Sequence, residues 1–137
     1  MAGIGASQEH HVTLILDAGA FVALERDDRS MWRRLKTELL AGTPPVTHGG
    51  VVAQVWRGRS GRQVLLARGL AGVDIASLDE ALGRSAGLLL GRAHPGDAVH
   101  AAVVALATDD DRIVTSDPDD LQRLVDAAGR HIDVIAI

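Results

Sequence analysis

Three aspartates stand where an apolar segment gives way to the beginning of a helix. Asp17 follows the β-prone run of residues 12–16, Asp117 follows a similar run at 112–116, and Asp97 opens a helical stretch after a Pro-Gly loop. Carboxylates that converge repel one another unless a cation or protons lie between them, and hard oxygen ligands suit Mg²⁺ or Mn²⁺. Such an ion can bind phosphate oxygens and activate a water molecule for in-line attack. Each aspartate is also a good helix cap, and both interpretations stand at this point.

The segments around these aspartates alternate between strand-like and helix-like patterns. Apolar runs predict five strands, at residues 12–16, 46–48, 73–75, 112–116 and 132–137. Apolar spacing predicts helices between them, with Ser30 capping one at 31–40 and Ser77 opening a capping box ahead of one that ends near Leu90. The alternation predicts an α/β fold, a three-layer α/β/α sandwich with a mainly parallel sheet and right-handed crossovers. The loops that follow the strands of such a sheet share one edge.

The composition is typical of a soluble globular protein. The chain has 137 residues, of which 47% are hydrophobic and 23% charged, and this favours one domain with a core of ordinary size. We expect residues 1–11 to form a flexible leader and residues 12–137 a single domain. The sequence contains no cysteine, which excludes disulfides and thiolate metal sites. Neither a membrane-spanning run nor a signal peptide is predicted, so the expected location is the cytoplasm, with no membrane partner.

The charge and the aromatic content limit the kinds of nucleic-acid surface to expect. A net charge of −4 does not indicate a surface built as a whole for nucleic acid, although acids that hold metal ions would themselves lower the formal charge. The chain has one phenylalanine, two tryptophans and no tyrosine, which argues against a platform for stacking bases.

Four segments resemble the PIN-domain family, and in particular the VapC-type toxins of bacterial toxin–antitoxin pairs. They are residues 16–24, 52–57, 97–98 with the apolar helix that follows, and 114–121. The resemblance runs from about residue 12 to the end of the chain, and it rests on the order and spacing of these motifs. It implies a PIN-like fold and a ribonuclease that uses Mg²⁺ or Mn²⁺ to cut structured RNA such as transfer or ribosomal RNA. It also implies a small VapB-like antitoxin as partner and, often, a homodimer.

The resemblance assigns metal-binding and catalytic roles to Asp17, Asp97 and Asp117, which match three of the family's four acidic positions. The fourth position, usually glutamate, is Gln54 here. An amide oxygen still coordinates a hard cation but supplies no charge. Since three carboxylates offset only three of the four charges of two divalent ions, we expect a weaker second ion and low nuclease activity.

Other acids are candidates to compensate for Gln54. They are Asp119, Asp120 and Glu25, and Asp119 is favoured because its loop faces the predicted site. The favourable interaction of an acid with the positive end of a helix dipole explains the presence of Asp119 equally well.

The predicted site also has candidate orienting groups. The family often has serine or threonine where this chain has Gly19, which leaves Thr115 and Ser116 as the hydroxyl groups that could orient ligands. His100 lies one helical turn after Asp97 and faces the same side, where it either approaches the metal or belongs to the helix surface or core; the second interpretation is favoured.

Clustered arginines suggest how RNA would be held. Three of them follow Gln54 closely: Arg57, Arg59 and Arg62. They could bind RNA phosphates, and they could equally belong to a solvated loop. Arg33, Arg34 and Lys36 are expected to decorate an exposed helix face.

Two other functions compete with the ribonuclease. A degenerate PIN domain would bind RNA or a protein partner without cleavage, and Gln54 favours it while the three aspartates argue against it. A phospho-accepting receiver domain also places an aspartate at a strand end. It fits poorly, because no paired acid follows the first strand and the sole lysine, Lys36, is not at a late strand end.

Overall fold

The computed structural model describes residues 12–58, 61 and 63–137, so the leader expected at residues 1–11 lies outside the described ranges. Within those ranges five strands form: β1 (Leu14–Leu16), β2 (Val46–His48), β3 (Asp74–Ala76), β4 (Arg112–Thr115) and β5 (Asp133–Ala136). The helices of the same ranges are α1 (Ala18–Glu25), α2 (Arg29–Leu40), α3 (Gly49–Val55), α4 (Gln63–Ala71), α5 (Glu80–Arg92), α6 (Ala98–Leu106) and α7 (Pro118–Ala128).

The strands form one sheet in the order β3-β2-β1-β4-β5, and every pairing is parallel. On the helical side, α1 packs against α2, α3 and α4, whereas α6 packs against α5 and α7. These two groups of helices and the sheet make the three-layer α/β/α sandwich, so the predicted fold class is confirmed. The sheet is wholly parallel, which is stricter than the mainly parallel sheet expected.

The central strands are buried on both faces, which explains why their sequences are apolar without alternation. All three residues of β1 are at most 1% exposed, and so are Ile113 and Val114 of β4. Helix α6 covers them with small and branched residues, since Ala101, Ala102, Val103 and Val104 are also buried. The core therefore lies directly beneath the loops that follow β1 and β4.

Two predicted helix caps are wrong. Helix α2 begins before Ser30, and Asp28 caps it by accepting a hydrogen bond from the backbone N of Met31 at 2.9 Å. Helix α5 is capped by Asp79, which accepts from the backbone N of Leu82 at 2.9 Å, so the capping box from Ser77 does not form. In both cases an aspartate close to the predicted serine takes the cap, because a carboxylate also interacts favourably with the positive end of the helix dipole.

None of the helices in the described ranges is long and apolar enough to cross a membrane.

Candidate metal centre

The sheet reverses its order of construction between β1 and β4. The chain builds outward from β1 through β2 to β3, and then returns to add β4 and β5 on the other side of β1. Open α/β sheets bind ligands at such a switch point, in the crevice beyond the carboxyl ends of the strands. Asp17 follows β1 and Asp117 follows β4, and the strands are level because Leu16 pairs with Val114. Two of the three predicted aspartates therefore flank the switch point.

Asp17 is buried but does not act as a side-chain cap. It stands at the N-cap position of α1, its side chain makes no capping hydrogen bond, and the residue is only 2% exposed. One carboxylate oxygen, Oδ1, is buried and has no hydrogen-bond partner among the described residues. An unpartnered buried acceptor is costly and requires an explanation. A ligand held by Oδ1 provides one.

Thr115, the last residue of β4, organises both aspartates. Its hydroxyl donates to Oδ2 of Asp17 at 2.7 Å and accepts from the backbone N of Asp117 at 2.9 Å. Thr115 is fully buried, so these bonds fix its rotamer and hold Asp17 in place. The hydroxyl of Thr115 therefore orients the carboxylate of Asp17.

His100, in the first turn of α6, bridges two carboxylates. Its Nε2 lies 3.3 Å from Oδ2 of Asp17, and its Nδ1 lies 2.5 Å from Oδ2 of Asp120. The hydrogen bond with Asp17, reinforced by Asp120 and opposed by burial, raises the pKa of His100 to about 9. His100 is therefore a cation at neutral pH, and its charge balances part of the surrounding negative charge.

The same contacts keep Asp17 ionised. Burial on its own favours a higher pKa for this carboxyl. The hydrogen bonds from His100 and Thr115, together with the charge of His100, outweigh burial and hold the pKa of Asp17 below its ordinary value of 3.8. Asp17 thus presents a negative charge to the crevice at neutral pH.

Asp117 and Asp120 complete the cluster. His100, Asp117 and Asp120 each offer one ligand atom, and these atoms all lie within 4.8 Å of one another. Asp117 is exposed and its side chain makes no capping bond. Asp120 also accepts a hydrogen bond from Arg123 on the next turn of α7. The metal centre suggested by the geometry is therefore His100, Asp117 and Asp120, with the buried carboxylate of Asp17 beside His100.

Asp97 caps a helix in this structure. It is exposed at the N-cap of α6, and its Oδ1 accepts hydrogen bonds from the backbone N of Val99 at 2.7 Å and of His100 at 3.0 Å. The sequence left open whether Asp97 caps a helix or binds a metal. In this structure its Oδ1 caps the helix. The charge of Asp97 still contributes to the raised pKa of His100.

Among the hydrogen bonds of the described residues, three further candidates make none with His100, Asp117 or Asp120. Gln54 is exposed on α3, and no hydrogen bond joins its side chain to another described residue. Asp119 is exposed in the first turn of α7. Glu25 accepts a hydrogen bond from Gln63 at the end of α1, where it helps to hold the loop after α3. Of the acids proposed to compensate for Gln54, only Asp120 belongs to the cluster.

The candidate RNA-binding arginines are only partly described. Arg57 is exposed, and its Nη1 donates to the backbone O of Ala53 at 3.1 Å and of Trp56 at 2.7 Å. Its guanidinium is thus tied back to its own loop. Arg59 and Arg62 lie outside the described residues.

Ser116 explains the glycine at position 19. A Cβ on Gly19 would lie 2.4 Å from Oγ of Ser116 and 2.8 Å from its backbone N. The start of α1 packs so closely on the end of β4 that no side chain fits at residue 19. The hydroxyl of Ser116, which is exposed, occupies the space that a side chain at residue 19 would need.

The pairing of His100 with Asp120 is what the sequence analysis missed. Each of these residues lies three positions after the aspartate at its own helix N-cap, Asp97 or Asp117. Residues three apart share one face of a helix, so both side chains belong on the faces of their predicted aspartates. This spacing was available in the sequence, but the direct contact between the two helices was not.

The candidate ligands include both oxygen and nitrogen atoms, and this set fits a divalent cation. Carboxylate oxygens suit Mg²⁺ and Mn²⁺, whereas an imidazole nitrogen favours the transition metal of the two. Oδ1 of Asp17 supplies an oxygen that no donor among the described residues satisfies. Asp117 and Asp120 thus offer carboxylate oxygens for one ion, the buried carboxylate of Asp17 lies beside them next to His100, and protonated His100 balances part of their charge.

No family model matches the chain, and no curated protein is detectably similar to it in sequence.

Proposed function

We propose that the chain is a metal-dependent endoribonuclease of the PIN type, a toxin that hydrolyses RNA phosphodiester bonds. The single observation that carries this proposal is the buried, unpartnered Oδ1 of Asp17 at the switch point of the sheet. The His100, Asp117 and Asp120 cluster beside it supports the proposal. The chain would hold Mg²⁺ or Mn²⁺ through Asp17, Asp117 and Asp120, with Asp97 and Gln54 at the margin as further oxygen donors.

A bound divalent ion would neutralise phosphate oxygens and lower the pKa of a water molecule for in-line attack. The residues of the chain supply position and charge. Thr115 orients Asp17 through its hydroxyl, which keeps the carboxylate in one rotamer. His100, as an imidazolium between Asp17 and Asp120, places a positive charge where a phosphate would bind.

The remaining parts of the proposal follow the resemblance to VapC-type toxins. They are a structured RNA substrate such as transfer or ribosomal RNA, a small VapB-like antitoxin, a homodimer and a cytoplasmic location. A neutral Gln54 in the position of a usual glutamate supports weak rather than strong activity.

A degenerate PIN domain that binds RNA or a protein without cleavage is the second candidate. Two observations favour it: Oδ1 of Asp97 is engaged in capping α6, and Gln54 makes no hydrogen bond with another described residue. A metal-dependent cleavage assay separates the two functions.

The deciding experiment combines metal binding with cleavage. Mn²⁺ is titrated into the purified protein by calorimetry, and the loaded protein is then incubated with total transfer RNA. Asp17→Asn should abolish both binding and cleavage, because it removes the buried charge without changing the shape of the side chain. Asp79→Asn is the matched control, since Asp79 is an exposed cap of α5 far along the chain from the site.

Each outcome assigns one function. Discrete cleavage products that require Mn²⁺ and Asp17 would support the nuclease. Metal binding without cleavage of any RNA offered would favour the degenerate domain. Absence of Mn²⁺ binding, even with RNA present, would contradict the metal centre altogether.

A further inference from the structure

Three cavities with shared lining residues form one groove on the side of the sheet that α1 and α2 cover. Their volumes are about 400, 260 and 300 Å³. The first and second share Ala23 and Ile137 in their walls, and the second and third share Ser30 and Arg34. The three cavities are therefore neighbours along one surface.

The groove runs along β4, from the carboxyl end of the strand, where the candidate site lies, to its amino end. Gly19 and Ser116 line its first cavity, and they lie next to the loops that carry Asp17 and Asp117. Arg112, the first residue of β4, lines its last cavity. Since a strand rises by about 3.3 Å per residue, the groove extends about 13 Å along β4.

The groove concentrates positive charge in a protein whose net charge is −4. Four arginines line it: Arg26, Arg33, Arg34 and Arg112. The first three have no ion pair within the ranges that the structure describes. We call this feature the arginine groove.

The acidic side chains in the groove are already engaged. Asp28 caps α2 by accepting from the backbone N of Met31. Glu38 accepts from Nη2 of Arg112 at 3.2 Å and from the hydroxyl of Thr43 at 3.1 Å. The groove thus carries two more cationic than anionic side chains, and its acids are turned towards protein partners.

One donor in the groove lacks an acceptor. Nε of Arg112 is buried and has no hydrogen-bond partner among the described residues, although Nη2 of the same guanidinium is paired with Glu38. An anion in the last cavity would supply negative charge beside a guanidinium that Glu38 neutralises only in part.

We propose that the arginine groove binds the phosphodiester backbone of single-stranded RNA on one side of the bond that is cleaved. The proposal rests on the ribonuclease function above for the identity of the polymer, because the groove opens at the residues adjoining Asp17 and Asp117. We infer that a strand held at these carboxylates continues past Ala18 and Ser116, which line the first cavity of the groove. Cavities of this volume fit one small ligand each, which matches successive nucleotides and not stacked base pairs.

The walls of the groove match the two parts of a nucleotide. Near the site they are apolar, with Ala18, Val22 and Ile137, which suit ribose and the faces of bases. Further along they are cationic, with arginines that bind phosphates by paired hydrogen bonds and also stack on bases. An acidic peptide could also pair with the arginines. The carboxylates of the candidate site would repel its acidic side chains, so such a peptide is not expected to extend into that site.

Binding of single-stranded RNA without cleavage tests the groove by itself. A fluorescein-labelled RNA of about ten nucleotides is titrated with protein in EDTA, and its anisotropy gives the Kd. The double variant Arg33→Glu/Arg34→Glu should weaken binding at least tenfold and make log Kd less dependent on log salt, because fewer phosphates are contacted. Arg26→Glu, near the other end of the groove, should weaken binding in the same direction.

The matched control is Arg84→Glu/Arg92→Glu on α5, which belongs to the other helical layer. Among the residues that the structure describes, Arg84 pairs only with exposed Glu80 on its own helix, so this double variant changes the net charge equally without altering a residue of the groove. It should bind RNA within about twofold of the unmodified protein, since a distant surface charge is largely screened. Circular dichroism of every variant checks that it is folded.

The outcomes separate the groove from the nuclease. RNA binding that falls in the groove variants but not in the control supports the groove, even if the protein proves to bind no metal and cleave nothing. Unchanged binding in both groove variants, an equal loss in the control, or no RNA binding by the unmodified protein would overturn it, even if Mn²⁺-dependent cleavage is found. Equally effective competition by polyglutamate of the same charge would make the groove an acidic-protein surface and overturn the assignment to RNA.

Discussion

Nε2 of His100 lies 3.3 Å from Oδ2 of Asp17, so an imidazolium on α6 holds the carboxylate that follows β1. The side chain of Asp17 is 2% exposed and that of His100 is 15% exposed. An ion pair this deeply buried depends on both members, because removing one leaves the other as an unpaired buried charge. The pair therefore fixes the position of the Asp17 carboxylate at the candidate site.

Replacing His100 should destabilise the metal-free protein more than replacing both partners. His100→Gln leaves the charge of Asp17 uncompensated and should lower the free energy of unfolding by about 3 kcal/mol. The double variant Asp17→Asn/His100→Gln should lose less than His100→Gln alone, because residue 17 then carries no uncompensated buried charge, and less than the sum of the single variants. Urea unfolding in EDTA at pH 7 measures the three values. Additive losses would show that the two side chains do not interact.

Thr115→Val should disturb stability and metal affinity together. Valine keeps the shape of threonine but leaves Oδ2 of Asp17 and the backbone N of Asp117 without their hydroxyl partner, at a cost of about 2–3 kcal/mol in unfolding free energy. Loss of the orienting bond should also weaken Mn²⁺ binding by about tenfold. Thr115→Ser is the control, since it removes a buried methyl group but retains the hydroxyl. If the serine and valine variants bind Mn²⁺ equally, the hydroxyl does not orient Asp17.

The sheet could be predicted because burial on both faces leaves long apolar runs, such as those of β1 and β4. The roles of the aspartates could not, because the same residue type at the same kind of junction behaves in two ways. Asp97 has φ −92° and ψ 130° and turns its oxygen back to the helix, whereas Asp117 has φ −128° and ψ 65° and does not. For Asp17, the decisive partners are Thr115 and His100, which lie far away in the sequence.

The contact between His100 and Asp120 illustrates the same limit. Helical spacing places each residue on the face of its own N-cap aspartate, but only the packing of α6 against α7 brings the two together. Tertiary packing therefore selected Asp120 over Asp119, although the two are adjacent and chemically identical.

Gln54→Glu should strengthen metal binding if charge limits the second ion. The substitution adds a carboxylate at an exposed position of α3, where the present side chain makes no hydrogen bond with a described residue. We expect tighter Mn²⁺ binding by calorimetry, a higher stoichiometry and faster RNA cleavage, because a fourth carboxylate offsets the remaining charge of two ions.

Gln122→Glu is the matched control for this charge change, since Gln122 is exposed on α7 and its one side-chain hydrogen bond within the described ranges is to Asp126 on its own helix. It should leave Mn²⁺ affinity unchanged. If Gln54→Glu alters neither affinity nor cleavage, the argument that charge limits the second ion is wrong.

His48 should make the protein less stable in mild acid. It is fully buried at the N-cap of α3, where Nδ1 accepts from the backbone N of Gly50 at 3.0 Å and Nε2 donates to the backbone O of Val99 at 3.0 Å. Burial lowers the pKa of His48 below its ordinary value of 6.5. Below pH 6.5, His48 binds a proton in the unfolded chain but not in the folded protein. The contribution of His48 to the free energy of unfolding is therefore complete above pH 6.5 and falls as the pH decreases towards the folded-state pKa. The slope contributed by one such group is at most about 1.4 kcal/mol per pH unit.

His48→Asn isolates this contribution. The amide oxygen of asparagine can replace Nδ1 as the cap of α3, but the variant cannot titrate and loses the bond to Val99. The unfolding free energies of the two proteins, measured in urea from about pH 5 to pH 7.5, should differ most above pH 6.5 and converge as the pH falls. A difference that stays constant across this range would show that His48 does not change its protonation on unfolding, since every other titrating group is common to both proteins.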